Sequence, residues 1–493
     1  MTVLAHQTDT LTRDALAVLQ PGFEGTTAPA WLLRRVGEGL TAVGLFGRNI
    51  ASPEQLAALT AQLRAERDDV LVAIDEEGGD VTRLEVRGGS SFPGNLALGA
   101  VDDTGLTRDV ARELGRRLAE CGVNLNWAPS ADVNSNPDNP VIGVRSFGAD
   151  THLAARHTAA YVEGLQASGV AACTKHFPGH GDTSVDSHHA LPRIDVDLDT
   201  LQARELIPFK AAIEAGTKAV MSAHILVPAL DPTRPATLSP QILTGLLRKE
   251  LGYEGLIVTD GMEMNAIAGT YGIERGSVLA IAAGADAICV GGGLADEATV
   301  LRLRDALVAA VREGTLPEER LADAAARVRE LAAWTCRARP DARPEGSRAS
   351  GIGLTAARRA LAVTGAPRPL SAPYVATLTP VANIAVGDET PWGVAEELAA
   401  LVPATASGRY PEGAPAEAIL AAAGDRTVVV VVRDAHRHPW MERAVEALVA
   451  ARPDTVVVEM GLPMAAPRGS VYIATHGASR VCGRAAAEVI AGA

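Results

Sequence analysis

Between about residues 40 and 295 the sequence repeats one unit, in which a short apolar run ends in polar residues and an Ala-, Leu- and Arg-rich stretch follows. Runs that are apolar on both faces are typical of parallel strands covered by helices. Seven such runs are visible, and an eighth is expected near 15–23; the seven lie at 39–49, 70–79, 123–133, 170–179, 218–225, 256–262 and 285–292. The repeat predicts an α/β fold with a (β/α)8 barrel of the TIM type.

The composition changes after this region, because residues 336–372 are rich in Arg, Pro, Gly and Ser. Strand-like runs then return among helical stretches, at 375–379, 382–386, 427–432, 455–459 and 470–474. A chain of 493 residues also exceeds what one hydrophobic core usually organises. We expect a catalytic barrel over 1–340, a linker with one helix over 341–370 and a smaller α/β layered domain over 371–493. The smaller domain is expected to support the barrel or shape one side of its pocket.

Charge and composition argue against several classes of partner. The formal net charge is -14 and no long basic run occurs, so nucleic-acid binding is not expected. The apolar runs are too short to cross a bilayer, and the first residues do not resemble a secretory signal. The five cysteines are scattered without CxxC spacing, which favours buried thiols over disulfides or a zinc site. We therefore expect a cytoplasmic protein without a membrane partner.

Six polar residues follow five of the predicted strands or lie at their carboxyl ends, where the βα loops of a barrel converge. They are Asp75, Asn126, Lys175, His176, His224 and Asp260. Six such residues on five different strands predict one polar pocket. Each alone has a simpler interpretation, since an Asp at a strand end is often the N-cap of the next helix.

The segment KHFPGHGDTSVDSHHALP (175–192) holds four histidines, two aspartates and a lysine. A metal site is one interpretation, but the glycines interrupt regular ligand spacing and the lysine beside His176 would oppose a cation. A structural polar loop is another. We favour an acid–base loop, in which Asp186 hydrogen-bonds to His188 and fixes its tautomer. No metal and no other cofactor is expected.

These segments resemble the bacterial β-N-acetylglucosaminidases of glycoside hydrolase family 3, in their two-domain form. The pattern KHFxGHGDTxxDSHHxLP is specific to that branch, and DEEGGxVxRL, NPVIGxRSFG, AVMSAHIxxPALD and IVTDGMEM accompany it over residues 70–265. The resemblance implies that Asp260 is the nucleophile and that Asp186 and His188 form the acid/base dyad. It also implies a small carbohydrate substrate, with a sugar held by Asp75, Arg83, Arg145, Lys175 and His176.

Two positions depart from the pattern of these relatives. Val144 stands where many of them have Asp, which changes the surroundings of Arg145. Asp80 stands where a basic residue is frequent, and we expect its side chain to face away from the sugar.

The resemblance implies a retaining exo-β-N-acetylglucosaminidase that forms a covalent intermediate on Asp260. The substrate is left open between chitobiose or chito-oligosaccharides and cell-wall muropeptides. One alternative is a phosphorylase with the same site, because a neutral His188 would let inorganic phosphate approach the intermediate. Another is a sugar-binding protein without catalysis, although binding alone requires neither Asp260 nor the dyad.

Overall fold

The computed structural model describes residues 9–184, 191–338, 351–381, 386–387 and 389–493. The first part of the chain forms a curled parallel sheet with helices on its outside. Its eight strands are β1 (Leu19–Pro21), β2 (Ala42–Leu45), β3 (Leu71–Ile74), β4 (Leu125–Asn126), β5 (Ala171–Phe177), β6 (Ala219–Ser222), β7 (Leu256–Thr259) and β8 (Ile288–Val290). Each lies inside one of the eight predicted runs, so the predicted fold class is confirmed.

The strands follow one another in chain order around the sheet. Strands β2 to β7 form a continuous parallel ladder, and β1 pairs in parallel with β8. A parallel bridge between Val258 and Ala287 joins β7 to β8, and the N–H of Thr259 donates to the carbonyl of Ala287 at 3.0 Å. All strand carboxyl ends therefore point to the same side of the first domain.

The helices of this domain cover the outer face of the sheet, and the last of them also packs Val328, Leu331 and Ala332 against the inner core. The helices are α1 (Thr10–Ala17), α2 (Ala30–Glu38), α3 (Pro53–Glu66), α4 (Asn95–Val101), α5 (Thr104–Glu120), α6 (Thr151–Gln166), α7 (Leu198–Thr200), α8 (Leu206–Glu214), α9 (Asn265–Tyr271), α10 (Ile273–Ala283), α11 (Glu297–Arg312) and α12 (Glu318–Ala338). Two π-helical segments, Leu201–Glu205 and Gln241–Glu250, complete the layer. Several helices begin at a capping side chain, such as Asp150, which accepts the N–H of Leu153 at 2.6 Å.

The inner face of the sheet has its own small core, in which alanines surround one large ring. Ala42, Ala73 and Ala171 are fully buried there beside Trp127. A Cβ added at Gly44 would lie 2.9 Å from the Trp127 ring, so glycine is what admits the indole. Trp127 in turn closes the floor of the pocket described below.

The second part of the chain forms a layered α/β domain, as predicted. Its strands are β9 (Ala362–Gly365), β10 (Tyr374–Thr379), β11 (Ala406–Pro411), β12 (Val428–Val432), β13 (Val456–Glu459) and β14 (Val471–Ala474). The sheet order is β11-β10-β12-β13-β14-β9, parallel except that β9 runs antiparallel to β14. The helices are α13 (Ile352–Ala360), α14 (Ala395–Leu401), α15 (Ala416–Ala423), α16 (Pro439–Ala451) and α17 (Arg480–Ala491).

The sequence did not indicate the two edge strands β9 and β11, and β9 lies inside the predicted linker. An edge strand has one neighbour and keeps much of its surface in water, so it needs no apolar run. All four residues of β9 are exposed, and β11 alternates between half-buried and exposed residues. Most of the strand expected at 382–386 lies outside the described residues.

Helix α13 joins the two domains, because Ala356 packs into the core of the first and Ala357 into the core of the second. The five cysteines are free thiols, and four of them are buried, whereas Cys336 is half-buried. In the described part of the chain, no helix combines the length and the apolar character needed to cross a membrane.

Candidate active site

A cavity of about 650 Å³ lies at the carboxyl ends of the barrel strands. Six of the residues predicted from the sequence line it: Asp75, Arg83, Arg145, Lys175, His176 and Asp260. The structure thus brings together residues from four separate segments of the chain. The predicted dyad, Asp186 and His188, lies outside the described residues.

Lys175 is a buried cation at the centre of the polar wall. It lies on β5, and its Nζ is 2.6 Å from Oδ1 of Asp75 and 2.7 Å from Oε1 of Glu77. Burial alone would lower the pKa of Lys175, but the two carboxylates outweigh burial and raise it. The ammonium group is therefore charged at every physiological pH.

Glu77 connects Lys175 to a second buried cation, Arg145. The guanidinium of Arg145 donates from Nε to Oε2 of Glu77 at 3.0 Å and from Nη2 to Oε1 at 2.7 Å. Burial opposes ionisation of Glu77, yet Arg145 and Lys175 overcome it and hold the pKa of Glu77 far below its usual range. Glu77 is therefore an anion that fixes the positions of both cations.

His176 is oriented by a buried carboxylate behind it. Its Nδ1 lies 2.7 Å from Oδ2 of Asp132, and its Nε2 lies 3.3 Å from Nη2 of Arg145. Oδ1 of Asp132 also accepts the N–H of His180 at 2.7 Å. Burial would raise the pKa of Asp132, but the charge and hydrogen bond of His176 lower it well below its usual range. The ring of His176 is therefore held in one orientation.

His180 presents a neutral imidazole to the same cavity. Burial and the neighbouring His176 lower the pKa of His180 to about 4. Within the described residues, neither ring nitrogen of His180 has a hydrogen-bond partner. A buried imidazole without a partner in the described part of the chain is unusual, and this one lines the cavity.

Asp260 directly follows β7 and is half-buried at the cavity wall. Its N–H donates to the carbonyl of Ser222 at 3.1 Å, and its Oδ1 accepts the N–H of Gly261 at 2.8 Å. The next helix, α9, begins at Asn265 and has Met264 as its N-cap. The simpler interpretation of Asp260 as a helix cap is therefore wrong, and its carboxylate belongs to the pocket.

Two other strand-end residues serve the framework and do not line the cavity. Asn126 binds the backbone of Glu76, accepting its N–H at 3.0 Å and donating to its carbonyl at 2.7 Å. His224 contacts Oγ1 of Thr237 at 2.9 Å and the carbonyl of Gly261 at 3.0 Å. Both hold the loops that carry Asp75 and Asp260.

Three charged or polar residues that contact Lys175, Arg145 or His176 were not predicted from the sequence: Glu77, Asp132 and His180. The sequence did contain a signal for the two carboxylates, Glu77 and Asp132. Lys175 and Arg145 follow apolar or turn-rich segments, and buried cations in such positions require anions nearby. Glu77, two residues beyond Asp75, and Asp132, six beyond Asn126, were the available anions.

The second domain contributes one wall of the cavity through Val386, Gly387 and Glu389. Arg48 lies on the same side, where its guanidinium donates to the carbonyls of Phe23 at 3.1 Å and Gly292 at 3.0 Å. The prediction that this domain shapes one side of the pocket agrees with this arrangement. Among the described residues, no group of three or more His, Cys, Asp or Glu side chains is arranged to hold a metal ion.

Comparison with known proteins indicates the same family as the sequence motifs. Residues 32–331 match the glycosyl hydrolase family 3 N-terminal domain. The β-hexosaminidase A of Pseudoalteromonas piscicida is 38% identical over 312 residues, which cover 58% of this chain and 52% of that protein. The chain thus spans about half the length of that relative.

Two solved structures match this chain, one over nearly its whole length and the other over 66% of it. A family 3 β-N-acetylglucosaminidase from Paenibacillus sp. is 34% identical, with a TM-score of 0.87, over 98% of this chain and 97% of that one. A β-N-acetylhexosaminidase from Beutenbergia cavernae is 30% identical, with a TM-score of 0.59, over 66% of this chain and 100% of that one. The predicted resemblance is confirmed, and the chain belongs to glycosyl hydrolase family 3.

Proposed function

We propose that this chain is a retaining exo-β-N-acetylglucosaminidase. The observation that carries the proposal is that Asp260 shares one cavity with the charged group formed by Asp75, Lys175 and Arg145. Similarity to a β-N-acetylglucosaminidase over nearly the whole chain supports the choice of sugar. A binding protein would need the charged group but would not need a carboxylate placed as a nucleophile.

The charged group suits the hydroxyls of a terminal sugar. Carboxylates such as Asp75 accept hydrogen bonds from hydroxyls, whereas Lys175 and Arg145 donate to them. Because Glu77 and Asp75 already neutralise the cations, a neutral sugar adds no uncompensated charge to the buried wall. We assign Asp75, Arg83, Arg145, Lys175 and His176 to sugar binding.

The proposed reaction proceeds in two steps on opposite faces of the anomeric carbon. In the first, an oxygen of Asp260 attacks that carbon, the bond to the leaving oxygen breaks, and His188 gives that oxygen its proton. In the second, neutral His188 takes a proton from water, and the resulting hydroxyl displaces Asp260 from the sugar. Asp186 orients the imidazole and stabilises its charged form. Neither step uses a metal or an organic cofactor.

We place the leaving group beside Arg48, Glu263 and the second-domain residue Glu389, which line the same cavity as Asp260. Chitobiose, chito-oligosaccharides and muropeptides all carry a terminal β-linked N-acetylglucosamine that fits this scheme. Chitin degradation and cell-wall recycling are the two corresponding roles.

The proposal is tested with paired aryl glycosides and with a natural disaccharide. Purified protein should hydrolyse 4-nitrophenyl β-N-acetylglucosaminide at least about tenfold faster, in kcat/KM, than the matching β-glucoside. Chitobiose with millimolar phosphate should yield free N-acetylglucosamine as the main product. A preference for the glucoside would contradict the proposed sugar. N-acetylglucosamine 1-phosphate as the main product would identify a phosphorylase instead.

A further inference from the structure

Asp80 lies in the turn that also carries Glu77, but its carboxylate faces the second domain. Its Oδ2 is 2.5 Å from Nη2 of Arg433, and its Oδ1 accepts the N–H of Ala478 at 2.7 Å. Only 2% of the Asp80 side chain is exposed, so water screens neither contact. The expectation that Asp80 faces away from the sugar therefore agrees with a specific role elsewhere, as a polar link between the domains.

The two partners of Asp80 both follow strands of the second-domain sheet. Arg433 directly follows β12, and Ala478 lies in the loop after β14. Between these strands, Glu459 ends β13 and accepts the N–H groups of Asp434 at 2.9 Å and Gly461 at 2.7 Å. The backbone beside Arg433 is therefore tied to the neighbouring strand end.

Backbone hydrogen bonds and close packing restrict movement of the turn between Glu77 and Asp80. The N–H of Glu77 donates to the carbonyl of Val81 at 3.1 Å, and the N–H of Gly79 donates to that of Phe92 at 3.0 Å. Gly79 has a φ of +66°, and a Cβ there would lie 2.4 Å from Cα of Gly94. The turn thus packs directly against neighbouring backbone, and a shift of Asp80 is passed on to Glu77.

We infer that Asp80 is a positioning residue through which the second domain fixes Glu77, and with it Lys175 and Arg145. The inference rests on the proposed function, because it gives the second domain a part in holding the terminal sugar. Loss of the Asp80 charge leaves Arg433 without its buried partner, and the turn is then held at one end only. Sugar binding should weaken while the chemistry at Asp260 continues.

The test compares wild type with Asp80→Asn, Arg433→Gln and Arg433→Lys in the full chain. We expect Asp80→Asn and Arg433→Gln to raise KM for 4-nitrophenyl β-N-acetylglucosaminide about tenfold and to change kcat less than about threefold. The inhibition constant of free N-acetylglucosamine should rise by the same factor. Arg433→Lys keeps the charge and should restore most of the lost affinity.

Arg358→Gln provides the matched control. It removes an ion pair with Glu488, 2.7 Å long, that links α13 to α17 and includes no residue of the turn. Both constants should stay at the wild-type values in this variant. Because Arg433 belongs to the second domain, Arg433→Gln leaves the barrel sequence intact even if Asp80→Asn folds poorly.

Unchanged KM and inhibition constants in Arg433→Gln, together with a lower melting temperature, would overturn the inference and leave the link a purely stabilising contact. A fall in kcat with unchanged affinity would also overturn it. Failure of the proposed function is a different result, since wild type itself would then show no turnover of the glycoside.

Discussion

Glu77 and Arg145 form a bidentate ion pair in which Nε lies 3.0 Å from Oε2 and Nη2 lies 2.7 Å from Oε1. The side chains are 3% and 6% exposed. Since Oε1 of Glu77 also lies 2.7 Å from Nζ of Lys175, one carboxylate sets the positions of two cations. We assign those cations to the sugar, so the geometry of the sugar site depends on a residue that need not touch the sugar.

Replacing Glu77 should therefore damage both activity and stability. In Glu77→Gln the two buried cations lose their shared anion, which costs on the order of 3 kcal/mol of unfolding free energy. We expect kcat/KM for the aryl N-acetylglucosaminide to fall at least about a hundredfold. Urea unfolding and steady-state kinetics measure the two effects. Glu113→Gln, which breaks a pair with Arg116 on the outer helix α5, is the control and should change kcat/KM less than about twofold.

If His188 and Asp186 form the acid/base dyad, their replacement should affect two kinds of substrate differently. His188→Ala should spare the first step with activated aryl glycosides, whose leaving groups need little protonation, and should cripple turnover of chitobiose. Asp186→Asn should have a smaller effect, because it removes orientation and charge support but keeps the imidazole. Pre-steady-state release of the aryl group and steady-state hydrolysis of chitobiose measure the two cases. Equal losses on both substrates would make His188 a structural residue.

Glu76 predicts a pH dependence of stability. Its Oε2 accepts the N–H groups of Arg83 and Leu84, each at 2.8 Å, but burial outweighs these bonds and raises its pKa from 4.5 to about 7. A raised pKa in the folded state adds stability that is complete below about pH 4.5 and is lost as the pH rises through about 7. The difference is on the order of 3 kcal/mol.

Urea unfolding of wild type and Glu76→Gln at pH 5 and pH 8 checks this prediction. The neutral amide cannot ionise, so the unfolding free energy of the variant should change less between the two pH values than that of wild type. Equal changes in the two proteins would show that Glu76 does not ionise with a raised pKa.

The sequence predicts the part of the fold that depends on local patterns. Strands such as β3 and β7 are covered by helices on one side and lie against the inner core on the other, so their residues are apolar throughout and easily recognised. The edge strand β9 has no such requirement, because its residues stay in water. It can be identified only once its neighbour β14 is known.

The residues of the site also differ in how far they can be predicted from the sequence. Asp75, Lys175 and Asp260 could be placed in one pocket because the ends of parallel barrel strands converge. Asn126 has the same strand-end position, yet its side chain binds the backbone of Glu76, and a single sequence does not reveal the direction of a side chain at a strand end. The contribution of Glu389 depends on how two domains dock, which no local pattern encodes.

The central claim is that Asp260 becomes covalently bonded to the sugar. Incubation with a slow, fluorinated, mechanism-based N-acetylglucosaminide, followed by peptide mass mapping, tests it most directly. We expect one added sugar on the peptide that contains Asp260, no label in Asp260→Asn, and at least about a thousandfold lower kcat in that variant with an unchanged melting temperature. A label on Asp75, or full activity in Asp260→Asn, would contradict the account.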